Sequence, residues 1–148
     1  MKTIVNKILL VAAAVLVLAS CTKSEEAALK KIAGDWYYET VESEVPVQVY
    51  ASFAKDRTFQ LFQKVGDGAF RRHIGTYTFD GTLLDGVYSD KTEWKEAKTV
   101  TIDGDVLTAV GVKTGETITY VRKLVPATVR YHYTDAVKSM ALESEPWL

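Results

Sequence analysis

The spacing of apolar residues changes three times along the chain. Ile8 to Ala19 is apolar without a break, Glu25 to Ala33 carries Ala28, Leu29 and Ile32 at helical spacing, and Asp35 to Leu124 alternates with period two and is rich in Val, Thr, Tyr and Phe. The middle segment predicts a short helix capped by Ser24 and stopped by Gly34. The long alternating segment predicts strands near Trp36 to Ser43, Val47 to Phe53, Thr58 to Val65, Phe70 to Phe79, Leu83 to Tyr88, Ala97 to Ile102, Val106 to Val112 and Thr117 to Leu124. Lys55-Asp56, Gly66-Asp67-Gly68, Asp80-Gly81, Asp103-Gly104 and Thr114-Gly115 supply the reversals between them. Eight short antiparallel strands in sequence close most simply as an up-and-down β-barrel, which leaves no edge exposed. After Pro126, Thr134-Asp135 is placed to cap a short helix with Val137, Met140 and Ala141 at helical spacing. Tyr131, Tyr133 and Trp147 then serve as cover for an apolar barrel wall, with a lid or partner-binding patch as the alternative.

The first apolar run is of a different kind. Lys2 and Lys7 precede it, small residues follow it, and its length falls short of the roughly 20 apolar residues that cross a bilayer as a helix. This is the layout of a secretion signal. It ends at Cys21, the only cysteine of the chain. Leu18-Ala19-Ser20-Cys21 resembles the lipobox of bacterial lipoproteins. The resemblance implies that residues 1–20 are removed, that the Cys21 thiol receives a diacylglycerol, and that the new amino group is acylated, in part by palmitate. A lone thiol is unusual in an exported protein, where cysteines come in pairs; acylation removes the anomaly. Two acyl chains already give stable anchoring to a membrane.

Thr22 stands where lipoproteins retained in the inner membrane resemble one another in carrying aspartate, so the resemblance implies the outer membrane of a Gram-negative bacterium, at its periplasmic face or on the cell surface. Lys23, Ser24, Glu25 and Glu26 look like the short acidic export tags that follow the anchor in some surface-displayed lipoproteins. Glu25 and Glu26 equally suit the negative first turn of a helix, where they favour its dipole.

Charge excludes one class of partner. The 148-residue chain has a formal net charge of −1, which becomes −3 once Lys2 and Lys7 leave with the signal. Lysines and acids are interspersed, and no basic stripe of the kind that tracks nucleic-acid phosphates is present. Catalysis finds little to work with. His73 and His132 are too isolated to form a metal cluster, and His73, next to Arg71 and Arg72, reads as solvated. No serine occupies a Gly-x-Ser-x-Gly elbow. Asp103-Gly104-Asp105 is a hairpin turn rather than a calcium loop, and Glu42 and Glu44 are a wet pair near a strand end. No cofactor is called for, and the expectation is a protein without enzymatic activity.

A family resemblance supports the barrel. Gly34-Asp35-Trp36, between a short helix and the first strand, looks like the Gly-x-Trp motif that opens lipocalin-like barrels. Tyr120-Val121-Arg122 is similar to the last strand of that family, whose arginine lies across the barrel floor from the tryptophan. Gly75-Thr76-Tyr77, Gly81-Thr82-Leu83, Gly86-Val87-Tyr88, Trp94 and Gly104-Asp105-Val106-Leu107 resemble small bacterial lipocalin-like lipoproteins. The resemblance covers about residues 33–124. It implies an eight-stranded antiparallel barrel over residues 34–124, preceded by anchor, linker and helix over 21–33 and followed by a tail over 125–148. Gly34, Trp36 and Arg122 then have a structural role, since a guanidinium over an indole face gains about 0.5–2 kcal/mol.

An eight-stranded barrel is just wide enough to be filled by side chains or to hold one small ligand. Alternation turns Tyr38, Thr40, Val49, Phe53, Phe59 and Tyr120 inward, a lining suited to a small apolar or amphipathic molecule. Non-catalytic binding of such a ligand is the first expectation. The alternative is a filled barrel that presents its outer surface to an envelope protein or polysaccharide. The anchor is directly testable: Cys21→Ser should abolish fatty-acid labelling and move the protein from the detergent phase to the aqueous phase, whereas continued labelling would dismiss the lipid attachment.

Overall fold

The computed structural model describes residues 23–40 and 44–135. Its strands are β1 (Gly34–Glu39), β2 (Val47–Phe53), β3 (Thr58–Val65), β4 (Arg71–Phe79), β5 (Leu83–Tyr88), β6 (Lys98–Asp103), β7 (Val106–Gly111) and β8 (Thr117–Arg122). Neighbouring strands pair in the order β3-β2-β1-β8-β7-β6-β5-β4, and β3 pairs with β4 to complete the ring. Every one of these pairings is antiparallel, so the result is a closed eight-stranded barrel. The turns are held by their own side chains. Asp56 Oδ1 accepts from the Thr58 backbone N–H, and Asp80 Oδ1 accepts from those of Thr82 and Leu83.

Alternation decides what lies inside. Trp36, Val49, Ala51, Phe53, Phe59, Leu61, Tyr77, Leu84, Val100, Leu107, Ile118 and Tyr120 share one buried core. A helix over residues 23–32, here α1, lays Ala28, Leu29 and Ile32 against the same core and closes one end of the barrel. Trp36 sits beneath it, fully buried, and its indole Nε1–H donates to the Ile32 carbonyl at 2.8 Å. Arg122 comes from β8, on the far side of the closing seam. Its guanidinium carbon lies 4.0 Å from the Trp36 ring centroid, while its two terminal nitrogens donate to the carbonyls of Ala33 (3.0 Å) and Lys31 (3.2 Å). One side chain thus covers the indole and satisfies carbonyls at the end of α1 that the helix leaves without partners. Gly34 makes this approach possible: its φ of 120° lies outside the range of L side chains, and a Cβ there would come within 2.8 Å of Arg122 Nη1.

A second apolar layer lies on the outside. Tyr37, Tyr50 and Phe62, facing out from β1, β2 and β3, are covered by Val125 and Val129, with Phe70 and Tyr133 packed beside them. Val129 belongs to the short helix α2 (Ala127–Arg130), and the segment ends in β9 (Thr134–Asp135), which pairs in parallel with β4 at Arg71↔Thr134 and Arg72↔Asp135. β5 meets β4 only from Gly75 onward, so β9 takes the edge that β5 leaves uncovered. Asp35 ties this strap down. Its buried carboxylate accepts from Ser52 Oγ (2.6 Å), the Val125 N–H (2.9 Å) and Arg130 Nη2 (3.0 Å).

Several expectations need correction. The helix already runs from residue 23, so Ser24 lies within it and not before it. β1 ends at Glu39, where Thr40 turns its hydrogen bonds to Val47, and β8 ends at Arg122 instead of Leu124. Thr134 and Asp135 form strand β9 and do not cap a helix, because the free edge of β4 takes up their backbone; Val137, Met140, Ala141 and Trp147 lie outside the described residues. Tyr133 packs on Phe62 at 5.6 Å as cover, whereas Tyr131 stays 75% exposed.

The contact across the seam has a measurable signature. Trp36→Ala should cost about 3–5 kcal/mol of stability. Arg122→Ala should cost less, and the double variant less than the sum of the two, because the groups touch. Strictly additive losses in denaturant unfolding would mean that the stacking carries no energy.

Candidate functional site

The barrel interior is the first place to look for a site. Val49, Phe53, Phe59 and Tyr120 are all buried in the main core, and Tyr38 packs on Tyr120 with ring centroids 5.8 Å apart. Thr40 stands at the rim, where its Oγ1 accepts from the Val47 N–H at 2.9 Å and fastens the end of β1 to the start of β2. Apart from Thr40, expected inside but held at the rim, the inner positions named from alternation therefore do come together, but within one packed core. Phe53 lies edge-on to Tyr77 at 4.9 Å, and Phe59 edge-on to Trp94 at 5.3 Å. The void among Trp36, Ala51, Phe53, Leu84, Lys98, Leu107, Ala109 and Tyr120 measures ≈ 10 Å³. One water needs about 10–15 Å³, and small-molecule sites run to about 300–1,000 Å³.

Trp94 explains part of this filling. It comes from the connection between β5 and β6 and enters over Gly86, where a Cβ would meet the indole at 2.4 Å. Only a glycine on β5 lets the ring lie flat against the backbone and reach Phe59.

Polar groups are also buried here, and most were not legible as such beforehand. His73 was read as solvated; it is 5% exposed and turns inward on β4, with its ring 5.9 Å from Tyr88. Its parity with Tyr77 and Phe79 outweighs the two arginines beside it in sequence. Lys98 and Glu96 are both buried and lie 3.3 Å apart. Glu96 is the hub of the barrel end opposite α1. Its carboxylate accepts from the Lys113 N–H (2.6 Å), the Thr114 N–H (2.9 Å) and Thr114 Oγ1 (2.6 Å), so it latches the β7–β8 turn. The Thr114 hydroxyl and backbone N–H are the main causes that hold its pKa down at about 2. The alternation Lys98-Thr99-Val100-Thr101-Ile102 contained the signal for Lys98, since it shares parity with inward Val100. Tyr120 is the converse case: its hydroxyl is buried with no hydrogen-bond partner among the described residues, and burial pushes its pKa up.

The outer wall carries two open clefts. One, of ≈ 480 Å³, crosses the outward face of β3, β4 and β5 and is lined by Thr58, Gln60, Arg72, Ile74, Thr76, Val87, Ser89 and Lys91, with Phe59, Gly75 and Tyr88 beneath. The other, of ≈ 380 Å³, shares Thr76 and Val87 and continues toward Asp85, Glu93, Lys95 and Lys113.

Cys21 and residues 1–20 lie outside the described residues. Lys23, Ser24, Glu25 and Glu26 occupy the first turns of α1, where Glu25 accepts from Arg57 Nη2 at 2.6 Å in a half-exposed pair. Asp103-Gly104-Asp105 is the β6–β7 turn, and Asp105 lies 3.4 Å from Arg122 Nε. Among the described residues no group of three or more His, Cys, Asp or Glu side chains is placed to hold a metal ion, and no helix is long and apolar enough to cross a membrane. No protein-family model, curated protein or solved structure matches the chain. The class of protein that fold and interior define is a closed eight-stranded antiparallel barrel with a side-chain core.

Glu96 gives this barrel an acid-sensitive element. A carboxylate held near pKa 2, against an ordinary 4.5, stabilises the fold fully above pH 4.5 and loses that contribution as pH falls toward 2. Glu96→Gln should be less stable than the parent at neutral pH and should lose less stability between those two values. Parallel acid-unfolding curves for the two proteins would remove Glu96 from this role.

Proposed function

We propose that the protein is a lipid-anchored envelope lipoprotein, held at the outer membrane through Cys21, whose filled lipocalin-like barrel works without catalysis by binding a partner on its outer surface. The observation that carries this reading is the ≈ 10 Å³ interior void. A molecule with even a few carbon atoms needs more room than the side chains leave, and creating it would mean displacing rings that pack edge-to-face in the core. The outer clefts, at ≈ 380 and ≈ 480 Å³, are of the size that ligands fill. The cysteine at the signal boundary supports the anchor, and residue 23, two positions on, already lies in α1, so the barrel would stand close to the membrane.

Carriage of an apolar ligand inside the barrel is the competing reading, and overpacking separates the two. Val49 is fully buried, so Val49→Phe should cost about 1–3 kcal/mol in a filled interior, and the parent protein should take up no environment-sensitive apolar dye. Dye uptake by the parent, lost in a Val49→Phe variant of unchanged denaturation midpoint, would return the function to the interior.

A further inference from the structure

We infer that the α1 end of the barrel is a face laid on lipid, with Val106, Val121 and Leu124 resting among the headgroups; this rests on the Cys21 anchor and adds an orientation to it. Chain length sets the limit. Residue 23 already lies in α1, and two residues of extended chain reach about 7 Å at most, so acyl chains on Cys21 would hold the start of α1 against the membrane surface. α1 is itself fixed to the barrel at three places. Glu25 is ion-paired with Arg57 of the β2–β3 turn, Ala28 Cβ lies 3.8 Å from where a Cβ on Gly81 of the β4–β5 turn would stand, and the carbonyls of Lys31 and Ala33 are held by Arg122 at the end of β8. A helix about 15 Å long, fastened in this way, does not swing independently of the barrel, and the end it closes turns toward the surface that holds its first residue.

The far rim of that end is apolar. Val106 opens β7, Val121 lies opposite it on β8 as a cross-strand pair, and both side chains are exposed on the outer wall. Leu124 follows, 81% exposed. It is not loose. The Lys123 N–H donates to the Asp35 carbonyl (3.1 Å) and the Val125 N–H to the Asp35 carboxylate (2.9 Å), so the backbone on both sides is pinned while the side chain is turned out. All three belong to the α1 end, because the Arg122 N–H donates to the Asp105 carbonyl in the turn that leads into Val106. The anchor enters beside the β2–β3 turn, and this rim lies at the other end of α1. Two contacts on opposite sides of one end give the barrel a fixed stance, which a single acylated residue does not.

Charge does not select this face. Glu25 is paired with Arg57 and Asp105 with Arg122, and the exposed carboxylates of Asp56, Asp80 and Asp103 are offset by Lys30, Lys31 and Lys123 on the same end. A mixed rim suits a zwitterionic headgroup layer, where lysine stems lie along apolar surface and keep the ammonium group in water. Val45, Val65 and Val112 are exposed at the opposite end, but the tether brings lipid to the α1 end.

Val112 therefore supplies the control, since it stands just past the other end of β7, about 20 Å of strand from Val106, and is exposed as well. Acylation consumes the Cys21 thiol, so Leu124→Cys and Val112→Cys variants of the full lipidated chain each carry one thiol for a polarity-sensitive NBD dye. In phosphatidylcholine vesicles containing a lipid with a nitroxide on its headgroup, the dye in Leu124→Cys should be blue-shifted and quenched several-fold more than the dye in Val112→Cys, with no change as salt is raised. Val106→Cys should follow Leu124→Cys. Equal quenching at the two ends of the barrel, or stronger quenching in Val112→Cys, would overturn the orientation. A blue shift in Leu124→Cys without quenching would overturn it too, as the signature of a second copy covering the rim. Failure of the anchor is distinct: the chain then carries no acyl group and stays out of the vesicle fraction, and the assignment of this face falls with it.

Discussion

Closure of the barrel depends on a short seam. β1 and β8 pair only at Trp36↔Arg122 and Tyr37↔Val121, so few backbone hydrogen bonds join the first strand to the last. Side chains carry the rest. Trp36 fills the floor beneath α1, and Arg122 reaches across from β8 to cover the indole and bind two carbonyls at the helix end. Because consecutive residues of a strand face opposite ways, Asp35 stands on the outer side of the same seam. There it holds Ser52, Val125 and Arg130. Three adjacent residues, Gly34, Asp35 and Trp36, thereby position the helix inside one end of the barrel and the strap against its wall.

That arrangement leaves little room inside the barrel. With α1 closing one end, with Trp94 edge-on to Phe59 and with Phe53 edge-on to Tyr77, the core gains dispersion contacts and leaves little space to lose. The buried charges near the other end are committed as well. Lys98 is neutralised by Glu96, and Glu96 spends its remaining acceptors on the β7–β8 turn. Burying an ion pair is tolerable only when its lone pairs and protons are satisfied in this way.

Most of the architecture was legible in the order of residues. Period-two alternation located all eight strands, because one face of each must be apolar and the other need not be, and Asp- and Gly-containing turns marked their ends. Gly34, Trp36 and Arg122 were expected as a unit only through their resemblance to a known barrel motif, and the structure brings them into contact. The inward set of Tyr38, Val49, Phe53, Phe59 and Tyr120 also followed from parity alone, whereas Thr40, assigned inward by the same parity, lies past the end of β1 at the rim. Charge, when allowed to overrule parity, misled: His73 was assigned to solvent because of its neighbours, and it is inside.

What the sequence by itself determined was thus the strand pattern and which side chains face inward, since both follow from local geometry repeated along the chain. Only the tertiary structure decided whether the inward residues enclose a cavity or fill it, since that depends on distances between side chains far apart in sequence, such as Trp94 against Phe59 and Gly86. It likewise decided that Asp35 fastens residues some ninety positions away, that Glu96 latches a turn, and that Thr134 and Asp135 join β4 as a strand. Local pattern constrains a residue's direction, while packing and partner choice are set by what the closed ring brings opposite it.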